Sequence, residues 1–374
     1  MKHLRFCAAA ALLIACLPAR LAAQSVTMPP SGGNMHASVS QQIGLATVTV
    51  SYNSPGVRGR QGKIWGSLVP WGTTNFIEEG FGTSTEGPWR AGANENTAIT
   101  FSHDVLVQGK ALKAGTYGFH LIPRESAPWT LIFSRNSTAW GSYFYDPAED
   151  ALRVEASPKE APFTEWLTYE FTGRGLDRAT LALRWETLEL PFTIEVPDMN
   201  GLYVEQMRRE LQSTAGFSWR GYQEAADFCL RNKVRLEQGL AWAETAVSLP
   251  FIGERNFLTL STQAQLLSAL GRSAEARTVM DEALQMGTNM ELYQYGSGLA
   301  QDQPAEALRV FELTAKRFPD TWISYAGLGA GYRVTSQPEK ALKYYKLALK
   351  DAPSGWKGSI EARIRTMEEA QRKP

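Results

Sequence analysis

The sequence has little cysteine, with only Cys7, Cys16 and Cys229 in 374 residues. Two of the three lie in an N-terminal segment that we expect to be removed. The mature chain would then keep a single cysteine, which excludes an internal disulfide even in an oxidising compartment. Cys229 lies in an apolar helical stretch, and this setting favours a small buried side chain over a reactive thiol.

An excess of charge of either sign is also absent, since 38 basic residues balance 38 acidic ones. The chain lacks the basic footprint of nucleic-acid-binding proteins, so we expect no nucleic-acid partner. It lacks a P-loop, a dinucleotide-binding glycine run and a Gly-x-Ser-x-Gly nucleophile elbow. We therefore predict no cofactor and no catalytic residues. Beyond the N-terminal segment, no run is apolar and long enough to cross a membrane.

Residues 1–23 have the pattern of a signal peptide: a basic start, an apolar run over residues 6–17, and small residues before Gln24. This pattern predicts export to the periplasm or the medium, with cleavage after Ala23. A second route stays open, because the residues ending at Cys16 resemble the lipobox of bacterial lipoproteins. In that route Cys16 would be lipidated, and a membrane would be a partner only through that anchor.

Residues 41–197 alternate apolar and polar side chains with a period of two, which is typical of half-buried strands. Glycine-containing turns separate about nine such strands, with no helices between them. This pattern predicts an antiparallel β-sandwich. The preceding residues 24–40 are rich in Pro, Gly, Ser and Met and are predicted to be a flexible leader.

After Gly201 the period becomes helical, and residues 202–370 contain a repeat. Ala276, Ala307 and Ala341 follow one another at intervals of 31 and 34 residues. The last unit, Tyr325-x-x-Leu328-Gly329-x-x-Tyr332, matches the first-helix pattern of the tetratricopeptide repeat. We predict four stacked helix pairs, which gives an α+β multidomain protein. Their groove would bind a peptide or a partner protein, or the stack would only buttress the β domain.

The β half resembles a bacterial family known only as domain of unknown function 2911, over about residues 45–195. The resemblance depends on these stretches: Ser51-Tyr52-x-x-Pro55-Gly56-Val57-x-Gly59-Arg60, Leu68-Val69-Pro70-Trp71-Gly72, Trp89-Arg90-x-Gly92-Ala93-Asn94-Glu95, Gly109-Lys110-x-Leu112-x-Ala114-Gly115-Thr116-Tyr117, Ile122-Pro123, Trp129-Thr130-Leu131-Ile132-Phe133 and Trp140-Gly141. It implies a β fold and export but no established reaction. The chain departs from the family between Gly72 and Trp89, where residues 73–88 add a loop.

The polar crowd Arg90, Asn94 and Glu95 is the first candidate for a binding site. It occupies a turn that enters a predicted strand, since Gly and Asn are poor residues for a central strand. Arg90 could bind a carboxylate or phosphate through its planar fork. The alternative is that Arg90 pairs with Glu95 or with backbone groups and holds the loop in place.

Other candidate ligand-binding residues lie elsewhere in the β half: Trp71, Trp89, Arg58, Lys63 and His120. The two tryptophans flank the added loop and could stack on sugar rings, although filling the core is the common role of such residues. Arg58 and Lys63 lie in a glycine-spaced loop that could receive an anion or be merely solvated. A hairpin could bring His103 and His120 together as metal ligands, but the spacing lacks a metal motif, so no metal site is predicted.

The sequence as a whole predicts an exported protein of unknown molecular function. Its most favoured role is non-catalytic recognition in the cell envelope, of a small polar or carbohydrate-like ligand by the β loops and of a protein by the helices. One alternative is a hydrolase or metal-assisted enzyme with its site at the loops around Arg90–Glu95. The other is a purely structural scaffold.

Overall fold

The structure is a computed structural model that describes residues 33–372. The predicted signal peptide, Cys16 and the first part of the predicted leader lie outside the described residues. The chain divides between Pro197 and Asp198 into two compact units, a β unit and a helical unit.

Ten strands form the β unit within the described residues. They are β1 (Met35–Ile43), β2 (Ala46–Ser54), β3 (Thr97–Phe101), β4 (Val105–Val107), β5 (Lys110–Leu112), β6 (Gly115–Ile122), β7 (Trp129–Ser134), β8 (Asp150–Ala156), β9 (Lys159–Arg174) and β10 (Arg178–Glu195). One sheet has the order β1-β2-β3-β6-β7-β8 and the other the order β5-β4-β10-β9. Adjacent strands pair antiparallel throughout. The predicted antiparallel two-sheet fold is confirmed.

The predicted leader is wrong for residues 35–40, because they form most of β1. This strand pairs with β2 along its whole length, from Met35 opposite Ser54 to Ile43 opposite Ala46. Most β1 side chains are exposed or half-buried, as expected at the edge of a sheet. Because backbone pairing with β2 holds this strand in the sheet, it needs few apolar side chains. Its composition therefore resembles that of a loop.

Aromatic side chains fill the space between the two sheets. Phe192 of β10 stacks on Phe119 of β6, with 5.6 Å between the ring centroids. The two strands belong to different sheets, so this contact joins the sheets. Trp129 of β7 and Trp185 of β10 both contact Trp65, at 5.1 and 5.7 Å between centroids. Each buried aromatic ring removes about 150–250 Å² from water, and this burial dominates the energetics of the sandwich.

Ten helices form the helical unit within the described part of the chain. They are α1 (Met199–Glu210), α2 (Trp219–Asn232), α3 (Leu236–Ser248), α4 (Phe257–Ala269), α5 (Ser273–Met286), α6 (Asn289–Leu299), α7 (Pro304–Arg317), α8 (Trp322–Val334), α9 (Pro338–Asp351) and α10 (Ser354–Arg372). Helices α2 to α9 pack as four successive pairs, which confirms the predicted repeat. None of the described helices is both long and apolar enough to span a membrane.

Small residues let the helices of this unit approach closely. The repeat alanines Ala307 and Ala341 are fully buried. A methyl group built on Gly329 of α8 would lie 2.8 Å from the ring of Tyr345 in α9. Gly327 and Gly296 face Phe311 in the same way. These contacts explain why the repeat pattern shows in the sequence as spaced glycine and alanine.

Candidate functional site

Arg90, in the loop before β3, is held by a backbone carbonyl of the same loop and by a neighbouring aromatic ring. Nη1 of Arg90 donates a hydrogen bond of 2.6 Å to the carbonyl oxygen of Asn94. The guanidinium lies over the ring of Tyr143, with Cζ 4.9 Å from the centroid. Ala91 and Asn94 have left-handed backbone angles, φ 52° and 59°, which fold the loop back on Arg90.

Glu95 does not take part in this arrangement. Its side chain is exposed and accepts a hydrogen bond of 2.8 Å from Nδ2 of Asn53 in β2. Asn94 receives a longer hydrogen bond of 3.4 Å from Asn34. Arg90 and Glu95 therefore do not form the ion pair that the sequence left open, and the loop is fastened through a backbone carbonyl and two amides.

His120 of β6 is buried, with 2% of its surface exposed. Its Nδ1 lies 3.0 Å from Oγ of Ser142, and its ring packs edge-on against Tyr145. Burial, and secondly the positive charge of Arg90, lower the pKa of His120 to about 4. The imidazole is therefore neutral near pH 7 and closed off from solvent.

The two histidines considered as metal ligands do not meet. His103 follows β3, and its Nδ1 lies 2.9 Å from Oγ of Ser102, whereas His120 bonds to Ser142. Across residues 33–372, no three side chains of His, Cys, Asp or Glu come together in a way that would hold a metal ion.

Trp89 and Arg90 line a cleft of about 330 Å³, which we call the β cleft. Its walls come from two connections, between β2 and β3 and between β7 and β8, and consist of Ser67, Leu68, Pro70, Gly72, Thr74, Phe76, Glu79, Pro88, Trp89, Arg90 and Ser142. Four of these residues, from Thr74 to Pro88, belong to residues 73–88, the loop that the sequence predicts to be an addition to the family pattern. Sequence reasoning missed Thr74, whereas Glu79 lies in the Glu-rich loop next to Trp89 that the sequence had already singled out.

The remaining predicted site residues are not part of the lining of the β cleft. Trp71 is 37% exposed and its ring contacts Trp129, 6.4 Å between centroids. Nη2 of Arg58 donates to the carbonyl of Gly33 at 2.7 Å, and its guanidinium lies over Trp166. Lys63 is exposed. The structure thus brings Trp89 and Arg90 together in one cavity and places Trp71, Arg58 and Lys63 outside its lining.

The helical unit contains a groove of about 450 Å³ along the first helices of three pairs, α2, α4 and α6. We call it the repeat groove, and its lining is Asp227, Leu230, Arg231, Phe257, Leu258, Ser261, Thr262, Gln265, Glu291, Gln294 and Tyr295. Gln265 and Gln294 are exposed, and Leu258 presents 43% of its surface. Amide side chains can both donate to and accept from a peptide backbone.

Known proteins resemble the two units separately. Residues 34–194 match the family described as "Protein of unknown function (DUF2911)". A search of curated proteins gave no match. Solved structures with tetratricopeptide repeats are similar to parts of this chain at low identity.

The C-terminal part of a tetratricopeptide-repeat protein from Cytophaga hutchinsonii is 16% identical, with a TM-score of 0.32, over 46% of this chain and 68% of its own. YrrB, described as a tetratricopeptide-repeat protein with an unusual peptide-binding site, is 18% identical, with a TM-score of 0.27, over 47% of this chain and 90% of its own. MamA from Desulfovibrio magneticus RS-1 is 20% identical, with a TM-score of 0.24, over 41% and 97%.

Similarity this low does not establish the repeat by itself. The assignment depends on the spaced alanines and glycines and on the four helix pairs of this chain. The family match covers nearly all of the two sheets and ends within β10. Residues 34–194 thus match the DUF2911 family of unknown function, and tetratricopeptide-like helix pairs follow them in the chain.

Proposed function

We propose that this protein is an exported, non-catalytic recognition protein whose repeat groove binds an extended segment of another protein. The observation that carries the proposal is the lining of the groove. Two of its three helices, α4 and α6, present exposed amides, Gln265 and Gln294, beside the exposed Leu258. Amides suit the hydrogen-bonding groups of a peptide backbone, and Leu258 offers an apolar contact for one side chain.

The charges of the groove favour a peptide that carries both signs. Asp227 and Arg231 pair across one turn of α2, with 2.8 Å between Oδ2 and Nε, and the Arg231 side chain is 77% exposed. Glu291 on α6 accepts from the backbone of Thr288 in a capping box, so its carboxylate is held in place. A groove of this kind selects partners by complementary charge more than by total buried area.

The positions of the predicted polar residues give an enzyme less support. Glu95 is exposed and bonded to Asn53, while His120 is buried against Ser142. A general acid or base must reach the proton that it transfers. These two side chains do not line one open cavity with Arg90, so the hydrolase alternative lacks a converging site around Arg90–Glu95.

The test is a selection from a random-peptide phage library against the full exported chain, followed by titration of the enriched peptides. We expect micromolar peptides whose affinity falls at least tenfold in the Leu258→Glu variant. Leu258 is the second residue of α4, where a glutamate suits the helix N-terminus, so the variant should fold. Phe251→Glu is the matched control, because Phe251 is fully exposed and outside the groove lining.

A scaffold without a binding role gives a different result. No peptide would then be enriched, or the enriched peptides would bind wild type and Leu258→Glu equally. Either result contradicts the proposal.

A further inference from the structure

The β cleft is a preformed cavity with fixed walls. The added loop closes as a narrow ladder, in which Thr74 and Gly87 exchange backbone hydrogen bonds of 2.9 and 2.8 Å. Trp89 exchanges two bonds of 2.8 Å with Leu121 of β6. The ring of Trp89 also stacks on Trp185, with 6.0 Å between centroids and 16° between planes. A ligand would therefore find the walls already ordered, which lowers the entropic cost of binding.

Arg90 brings an uncompensated positive charge to this cleft. It is half-buried, and no carboxylate among residues 33–372 lies within ion-pair distance of it. Its one hydrogen bond to a described residue uses Nη1, towards Asn94. A guanidinium has five N–H donors, so a fork remains for a carboxylate.

Glu79 lines the same cleft and is exposed. Within the described part of the chain its carboxylate forms no hydrogen bond or ion pair; only its backbone N–H bonds to Asn75. Two oppositely charged side chains thus border one cavity without neutralising each other. Beside them, Ser67 and Thr74 contribute hydroxyl-bearing residues, so the polar part of the lining suits a ligand with several hydroxyl groups.

Apolar residues of the lining are Leu68, Pro70, Phe76, Pro88 and Trp89. Sugar rings have C–H faces that pack on such surfaces, while their hydroxyls bond to carboxylates and hydroxyls. The volume of about 330 Å³ is at the lower end of ligand pockets, which run roughly from 300 to 1,000 Å³. A cavity of this size accommodates one or two sugar rings.

We propose that the β cleft binds an acidic sugar unit, a hexuronic acid, with its carboxylate on Arg90 and its hydroxyls on Glu79 and Thr74. A long-chain fatty acid has the carboxylate but not the hydroxyls, and a neutral hexose has the hydroxyls but no charge for Arg90. This site lies in the β unit and does not depend on the repeat groove, so either proposal can fail alone.

The test is a ligand-observed NMR titration of the full exported chain with three probes. Glucuronic acid carries both features, glucose carries only the hydroxyl-bearing ring, and N-acetylalanine carries only the carboxylate. We expect glucuronic acid to bind at least tenfold more tightly than either of the other two. The three probes thus separate recognition of the ring from recognition of the charge.

Two variants assign the contacts. Arg90→Lys keeps the charge but loses the planar fork, and it should weaken glucuronic acid binding about tenfold with little effect on glucose. Glu79→Gln should weaken both sugars about fivefold, while Glu125→Gln, an exposed glutamate outside the cleft lining, should change neither. Near-ultraviolet circular dichroism of the tryptophan cluster checks that each variant is folded.

Several results would overturn the proposal. Glucose or N-acetylalanine binding as tightly as glucuronic acid would show that ring and charge are not recognised together. Absence of binding by all three probes would refute the site. Unchanged affinity in folded Arg90→Lys or Glu79→Gln would remove these residues from it.

Discussion

At the residue scale, the environment of Arg90 followed in part from the sequence. A half-buried guanidinium must have partners, and polar loops satisfy their own hydrogen bonds first. The Asn94 carbonyl and the Tyr143 ring meet this need. The direction of Glu95 could not be predicted, because it depends on left-handed backbone angles at Ala91 and Asn94. Alanine gives no sequence signal for such a conformation.

The buried His120 predicts a specific loss of stability in acid. Its pKa is about 4 in the folded chain against an ordinary value of 6.5, so the unfolded chain binds more protons between these values. The stabilisation is complete above pH 6.5 and decreases as the pH falls towards 4. At 1.36 kcal/mol per pKa unit, the loss is about 3 kcal/mol.

Urea unfolding at pH 7 and pH 4 measures this loss. The His120→Gln variant cannot titrate at this position, so its free energy of unfolding should change by about 3 kcal/mol less than that of wild type between the two pH values. His103→Gln is the control, because His103 is less buried than His120. An identical pH dependence in wild type and His120→Gln would refute the assignment.

At the element scale, strongly periodic segments were predictable and an edge strand was not. Strand β10 alternates over many residues and buries one face, so its pattern is unmistakable. Strand β1 has mostly exposed or half-buried side chains and is held by pairing with β2. Strands β1 and β2 form a hairpin through Gly44 and Leu45, so main-chain pairing, rather than an apolar pattern in β1 itself, holds this strand in the sheet. The β cleft was not predicted because its walls combine residues 67–90 of the β2–β3 connection with Ser142 of the β7–β8 connection, which only the folded chain brings together.

Glycines in the helical unit lie in two different environments, a packed helix interface and an open surface. Substitution by alanine should distinguish them. Gly329 in α8 faces Tyr345, which has no exposed surface, and an added methyl would lie 2.8 Å from its ring. Gly329→Ala should therefore destabilise the helical unit by about 1–3 kcal/mol, as overpacking does. Gly358 in α10 has no atom within 4 Å of such a methyl. Gly358→Ala should stabilise by about 0.5–1 kcal/mol.

Urea unfolding followed by circular dichroism at 222 nm compares the two variants. The signs of the two changes should be opposite, because one methyl enters a packed interface and the other enters solvent. If both variants proved equally stable, close packing of α8 on α9 would not be what keeps glycine at position 329.

At the scale of the whole molecule, one thiol bears on the compartment that we propose. Cys229 is the free cysteine of the described chain, and it is buried between α2 and α3. Burial raises the pKa of its thiol to about 11, so little reactive thiolate is present near pH 7. An oxidising compartment would therefore leave this residue unchanged, so Cys229 is compatible with the proposed export.

Processing of residues 1–23 is the prediction that defines the mature molecule. An apolar run over residues 6–17 is shorter than the roughly 20 residues of a membrane-spanning helix, and small residues precede Gln24. We expect the full-length chain, expressed in a Gram-negative host, to yield a periplasmic or secreted protein. Its intact mass should be that of a chain that begins at Gln24. The Cys16→Ser variant should give the same mass, because cleavage after Ala23 removes position 16. A lipid-modified chain beginning at Cys16, lost in Cys16→Ser, would instead establish the anchored route, and an unprocessed cytoplasmic chain would refute export altogether.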